Sequence, residues 1–93
     1  MILPDSIQHL IHYAKVDYEK DKDIIITTVF NRGSVEDIRW VLKNYSREDL
    51  ERNVRNAMKG MWDKRSLNLF SGFFNIRLDP VIKEKAIKSL TNF

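Results

Sequence analysis

Histidine, carboxylate and guanidinium groups are the side chains here that could do chemistry. His9 and His12 lie one helical turn apart and could face one cation. Zinc takes three or four protein ligands, and no third accompanies this pair, so the reading is two surface or half-buried histidines and no metal. Carboxylates cluster at Glu36-Asp37 and at Glu48-Asp49-Glu51. General acid–base work needs one carboxylate held protonated in a pocket. These groups fall in the first turns of expected helices, where capping and the helix dipole already explain them. There is no cysteine for a thiolate nucleophile or thiolate metal site, and the three glycines form no phosphate loop. The expectation is a protein that is not an enzyme and carries no cofactor.

Two groups of residues suit binding instead. Trp40 falls about 170° from the centre of the Val35/Ile38/Leu42 stripe on a helical wheel, beside Glu36, Asp37 and Lys43. A large aromatic among charges marks a protein interface, and Arg32, Arg39 and Lys43 would rim it. The competing reading is that this second face packs on another helix of the same domain. The other group is Arg52, Arg55, Asn56 and Lys59, opposite the core stripe of one helix, with Lys64 and Arg65 close behind. After the short turn at Tyr45-Ser46 it would suit a helix-turn-helix presenting Arg and Asn to base edges. Glu48 and Glu51 share that face and oppose phosphate binding, and a solvated helix face explains the charges equally. A net charge of +3 permits DNA or an acidic partner and demands neither.

The elements that must position these groups are helical. Ninety-three residues make one domain, 1–93, and scarce glycine and proline disfavour a turn-rich β fold. The expected fold is all-α, a compact bundle of five to six short helices. The first covers about 5–14, capped by Asp5 or Ser6, with Ile7, Leu10, Ile11 and Ala14 inward. The second covers about 19–32. Its Asp23-Ile24-Ile25-Ile26-Thr27-Thr28-Val29-Phe30 run has strand propensity. Helix is preferred because a lone strand would leave its backbone groups unpaired. Gly33 then suits a positive-φ C′ position. Ser34-Val35-Glu36-Asp37 reads as a capping box opening a third helix, with Val35, Ile38, Leu42 and Tyr45 buried. Ser46 caps a fourth running to about Met61, with Leu50, Val54, Ala57, Met58 and Met61 inward. Asp63 opens a fifth over about 64–74, with Leu67, Phe70, Phe73 and Phe74 inward. Asp79-Pro80 opens a sixth lined by Ile82, Ala86 and Leu90.

Residues 17–76 resemble a family of short, functionally uncharacterised prokaryotic proteins encoded beside nucleotidyltransferase-like toxins of the abortive-infection type. The matching stretches are Asp23-Ile24-Ile25-Ile26 through Phe30-Asn31-Arg32-Gly33, Glu36-Asp37 to Trp40-Val41-Leu42, Tyr45, and Lys64-Arg65-Ser66-Leu67-Asn68-Leu69-Phe70. Where the family tends to end that last segment in Phe-Trp, this chain has Leu69-Phe70, and the tail from Asp79 onward has no counterpart. The resemblance implies a helical 19–32 and an antitoxin-like partner that binds and restrains a nucleotidyltransferase. A homodimer through the Trp40 patch, or DNA along the fourth helix, stays open beside it. The opening Met1-Ile2-Leu3-Pro4-Asp5 is too soon acidic for a signal peptide, and no apolar run reaches membrane-span length, so the expected location is cytoplasmic.

Overall fold

A computed structural model describes residues 2–11 and 16–87. It contains six helices in chain order: α1 (Asp5–Leu10), α2 (Lys22–Arg32), α3 (Val35–Asn44), α4 (Arg47–Arg55), α5 (Lys64–Phe73) and α6 (Pro80–Ala86). No strand occurs among the described residues; the nearest thing is a single parallel bridge between Trp62 and Ile87. The all-α reading is thus correct, including for 24–30.

α2 is the axis of the bundle, in contact with α1, α3, α4 and α5. Ile25, Ile26, Thr27, Thr28, Val29 and Phe30 are all buried in succession. A helix enclosed on every side has no polar face, which is why its sequence carries strand-like propensity and little helical periodicity. The core around it takes Leu3, Ile7 and Ile11 from the N-terminal segment, Val41 and Tyr45, Leu50 and Val54, and Leu67, Phe70 and Phe74. Phe30 and Phe70 stack at 3.9 Å between ring centroids, nearly parallel. That pair fixes α5 against α2.

Several boundaries differ from expectation, each for a local reason. α1 ends at Leu10; residues 12–14 of its expected span, and Ala14 with them, lie outside the described residues. Its N-cap is Pro4, because Ser6 spends its hydroxyl elsewhere: Ser6 Oγ donates to Asp37 Oδ1 at 2.6 Å. α2 starts at Lys22 rather than 19, since residues 17–21 form a turn closed by carboxylates. Asp17 Oδ2 accepts from Glu19 N and Lys20 N, and Asp21 Oδ2 accepts from Asp17 N. α4 ends at Arg55, two turns short of Met61, with Asn56 as its C-cap.

Gly33 is the clearest correction. It does not adopt positive φ; it sits at φ −77°, ψ 159°, which any residue can occupy. A Cβ there would lie 2.7 Å from Val29 O, 3.0 Å from Val29 Cγ1 and 3.1 Å from Asp37 Cβ. Glycine is required so that α2 and α3 can approach closely, not for handedness. Positive φ occurs instead at Gly60 (71°) and Asn75 (56°). Asn75 is the C′ residue of a Schellman close of α5, in which Ile76 N donates to Ser71 O and Asn75 N to Gly72 O.

The capping box at Ser34 is present in full. Asp37 N donates to Ser34 Oγ at 3.2 Å and Ser34 N to Asp37 Oδ2 at 3.1 Å. Asp37 is therefore turned inward and buried, and it shifts the phase of α3. Asp37, Val41 and Tyr45 face the core, while Val35, expected inside, is 66% exposed. In α5 the phase is Leu67, Phe70 and Phe74, leaving Phe73 outside. In α6 Asp79 Oδ1 accepts from Val81 N as expected of an N-cap. Only Ala86 of α6 is buried and Ile82 is exposed; Leu90 lies outside the described residues.

Candidate partner-docking faces

The residues singled out from sequence fall on three separate regions. Trp40 is half-buried, its ring edge-on to Tyr18 and Tyr45 at 6.1 Å from each. Tyr18 and Tyr45 stack at 4.5 Å, Tyr45 Oη donates to Tyr18 O at 2.9 Å, and Tyr18 Oη donates to Asn44 O. This aromatic cluster pins the 16–21 segment onto the end of α3. Burial pushes the Tyr45 phenol well above its ordinary range, so it stays a neutral donor. Arg32, at the end of α2, and Arg39 and Lys43, on α3, are exposed, and the last two with Val35 make the outer face of α3 mixed rather than apolar.

The second region is the basic set on and after α4. Arg52 is part-exposed but folds back onto two carboxylates. Its guanidinium donates to Asp23 Oδ1 at 2.6 Å and to Asp49 Oδ1 at 2.7 Å, tying α4 to α2. Asn53 Nδ2 adds donations to Asp23 Oδ1 and Asp49 O, and its Oδ1 accepts from the buried Thr27 hydroxyl at 3.4 Å. Lys22 approaches Asp49 at 3.4 Å. The Arg52 hydrogen bond holds the Asp23 carboxyl below its usual range. For Asp49, burial pulls upward but is outweighed by hydrogen bonds from Arg52, Lys22 and Ser46, and the net shift is down. Arg55 pairs with Glu51 at 3.4 Å. Asn56 is the exposed helix cap, Lys59 lies beyond the helix in the connection, and Lys64 and Arg65 open α5. The six residues do not share one helix. Two of the arginines are already engaged by carboxylates.

The third region was not anticipated. α5 puts Leu67, Phe70 and Phe74 into the core and carries Arg65, Asn68, Leu69, Gly72 and Phe73 on its opposite side, all exposed. Leu69 is 62% exposed and Phe73 60%. They stand one turn apart on one line with Arg65, since i, i+4 and i+8 fall on one face. Phe73 leans edge-on against Phe74 at 4.9 Å, which holds its ring in place. Alongside runs a shallow open groove lined by Asn68, Ser71, Gly72, Asn75, Ile76 and Arg77. From Lys64 to Leu78 the chain has Lys64, Arg65 and Arg77 and no acidic residue. Sequence reasoning missed this face because four apolar residues in α5 fit a helical stripe when Phe73 is counted inside. The signal available was the crowding: Leu67, Leu69, Phe70, Phe73 and Phe74 are more than one side of a ten-residue helix can bury.

His9 is exposed and His12 lies outside the described residues. No group of three or more metal-ligating side chains occurs among the described residues. Nor is any helix among them long and apolar enough to cross a membrane.

Residues 11–54, just under half of the chain, match a family of unknown function (DUF6922). The match takes in α2, α3 and α4, the central helix and two of its neighbours; α5 and α6 lie beyond it. No curated protein and no solved structure matches the chain.

Proposed function

We propose that this chain is a non-enzymatic interaction module whose role is to bind another protein. The observation that carries the reading is the outward display of Leu69 and Phe73 on a helix whose other side builds the core. Two large apolar side chains one turn apart on a surface are costly to hydrate, and covering them lowers the free energy. The partner we assign is a nucleotidyltransferase-type toxin that the module restrains, an antitoxin-like role. That identity draws on the resemblance over 17–76, and the surface chemistry is compatible with it. The DNA-binding alternative has less support, because Arg52 and Arg55 would have to leave Asp23, Asp49 and Glu51 to reach phosphate.

The test is reconstitution. The purified chain is mixed with a nucleotidyltransferase of the abortive-infection type that the resemblance points to, and both complex formation and nucleotidyl transfer are measured. A defined complex in light scattering, with transfer suppressed, is the expected result. No complex at micromolar concentrations, or a complex with transfer unaffected, refutes the antitoxin-like role.

A further inference from the structure

We propose that the outward face of α5, centred on Leu69, Gly72 and Phe73, docks an acidic amphipathic helix of a partner protein. The inference rests on the interaction-module reading and assigns the face and the chemistry of what covers it. Gly72 is the starting point. It occupies the last turn of α5, where glycine is disfavoured relative to alanine. Gly33 is required by close packing and Gly60 by its φ of 71°. Gly72 has neither reason: a Cβ built there meets no described residue within 4 Å, and its φ is not positive. What it does is leave backbone bare beside the Leu69–Phe73 line, in the groove it shares with Asn68, Ser71, Asn75, Ile76 and Arg77. Bare backbone on a helix lets another main chain come close, and the distance between two helix axes is set by the side chains at their crossing. Leu69 and Phe73 would then line one flank of the incoming helix as apolar anchors.

Charge selects the partner. Lys64 and Arg65 stand at one end of the face and Arg77 at the other, with no acid between them. Asp63 and Asp79 bracket the stretch as the N-cap residues of α5 and α6; the Asp79 carboxylate is occupied by Val81 N, while Asp63 makes no side-chain cap bond and offsets part of the Lys64–Arg65 charge, leaving that end still net positive. An entering helix with Asp or Glu flanking an apolar stripe is complementary at both ends. A second copy of this chain is not: in a two-fold pairing each cationic end meets another cationic end, whether helices run parallel or antiparallel. Two large apolar residues at the centre also set this face apart from a phosphate-binding surface, whose affinity comes from cations.

The experiment uses the full chain. A displayed library of helical peptides of about 16 residues, four to five turns, is selected on the wild-type protein and counter-selected on Gly72→Leu. The enriched peptide is then titrated into ¹⁵N-labelled protein. Enrichment of acidic amphipathic sequences is expected, with shifts confined to 64–77 and binding weakened about tenfold or more by Gly72→Leu or Phe73→Ser. Ile82→Ser, on the separate exposed patch of α6, should leave affinity unchanged. Thermal unfolding confirms that each variant is folded. No enrichment, enrichment of basic or non-helical peptides, or shifts on α3 or α6 overturns the assignment. So does a concentration-dependent dimer abolished by Phe73→Ser, or duplex DNA producing the same shifts. Each of these would leave a suppressed nucleotidyltransferase standing as a separate result, so the face can fail without the module reading failing.

Discussion

Substituting alanine at each of the three glycines should give three different answers, because the structure assigns each a different reason. At Gly33 the backbone is ordinary, so alanine gains the usual stabilisation from a less flexible unfolded chain, about 0.4–1 kcal/mol. Against this, the new Cβ falls 2.7 Å from Val29 O, well inside a normal carbon–oxygen contact. It also meets Val29 Cγ1 and Asp37 Cβ at 3.0 and 3.1 Å, so the neighbours cannot yield in one direction. Overpacking of this kind costs about 1–3 kcal/mol. Moving Val29 O also disturbs the 2.8 Å hydrogen bond it accepts from Gly33 N at the end of α2. The net expectation is a loss of about 1–2 kcal/mol, a fall in melting temperature of about 5–15 °C for a chain this size. At Gly60 there is room, but φ of 71° costs a side chain about 1–2 kcal/mol, so a loss of about 1 kcal/mol is expected. At Gly72 there is room and a helical backbone, so alanine should stabilise by about 0.5–1 kcal/mol. Urea unfolding of the four proteins measures all of this under one condition. A Gly33→Ala variant as stable as wild type would refute the close-approach argument, and a destabilised Gly72→Ala would show an internal reason for that glycine.

Acid should destabilise the fold through Asp23, Asp37 and Asp49. Burial pulls Asp37 upward, but the hydrogen bonds from Ser6 and Ser34 outweigh it, and all three carboxyls end below their ordinary values. The unfolded chain, with carboxyl values near about 3.9, then binds more protons than the folded one at mildly acid pH. Stability is full above that value and declines as pH falls through it towards the folded-state values; urea midpoints from pH 7 to pH 3 should show the decline, and a flat profile would contradict it. Asn53→Ala should cost about 1–3 kcal/mol, because it strands the buried Thr27 hydroxyl. Arg52→Ala should cost less, about 0.5–1 kcal/mol, since its ion pairs are about half exposed and screened. A reversed order in chemical denaturation would count against the network as described. Trp40→Ala should lower stability by about 1–2 kcal/mol, roughly half the cost of truncating a fully buried aromatic, because the ring packs on Tyr18 and Tyr45. A variant with unchanged melting temperature would return Trp40 to the surface.

The helices were legible where a local rule decides them. Ser34, Ser46 and Asp79 each cap a helix because their side-chain oxygen reaches a free backbone N–H in the next turn, a distance set by sequence alone. The inward faces were less legible, because facing is decided by what lies across the gap. Asp37 shows why. Hydrophobic patterning puts Val35 inside and the carboxylate outside, yet Asp37 is buried, since the capping box turns it back and Ser6 arrives from α1 to hydrogen-bond it. No periodicity within α3 contains Ser6. The same holds for Arg52, which reads as a free cation until α2 brings Asp23 against it.

The candidate face on α5 combines both limits. Leu69 and Phe73 are ordinary core residue types, and their exposure becomes visible only once Phe70 and Phe74 are seen to fill the space against Phe30. Gly72 is harder still, because in sequence it is an isolated glycine inside the expected fifth helix over about 64–74. Gly33 was expected to serve by its φ and instead serves by having no Cβ. Gly72 has no Cβ either, but no described residue stands where that Cβ would be. A glycine that no described residue of its own fold requires, set beside two large side chains that its own core does not use, fits a face that another protein covers. The proposed occupant is a helix, and the cations at both ends of the face favour an acidic one.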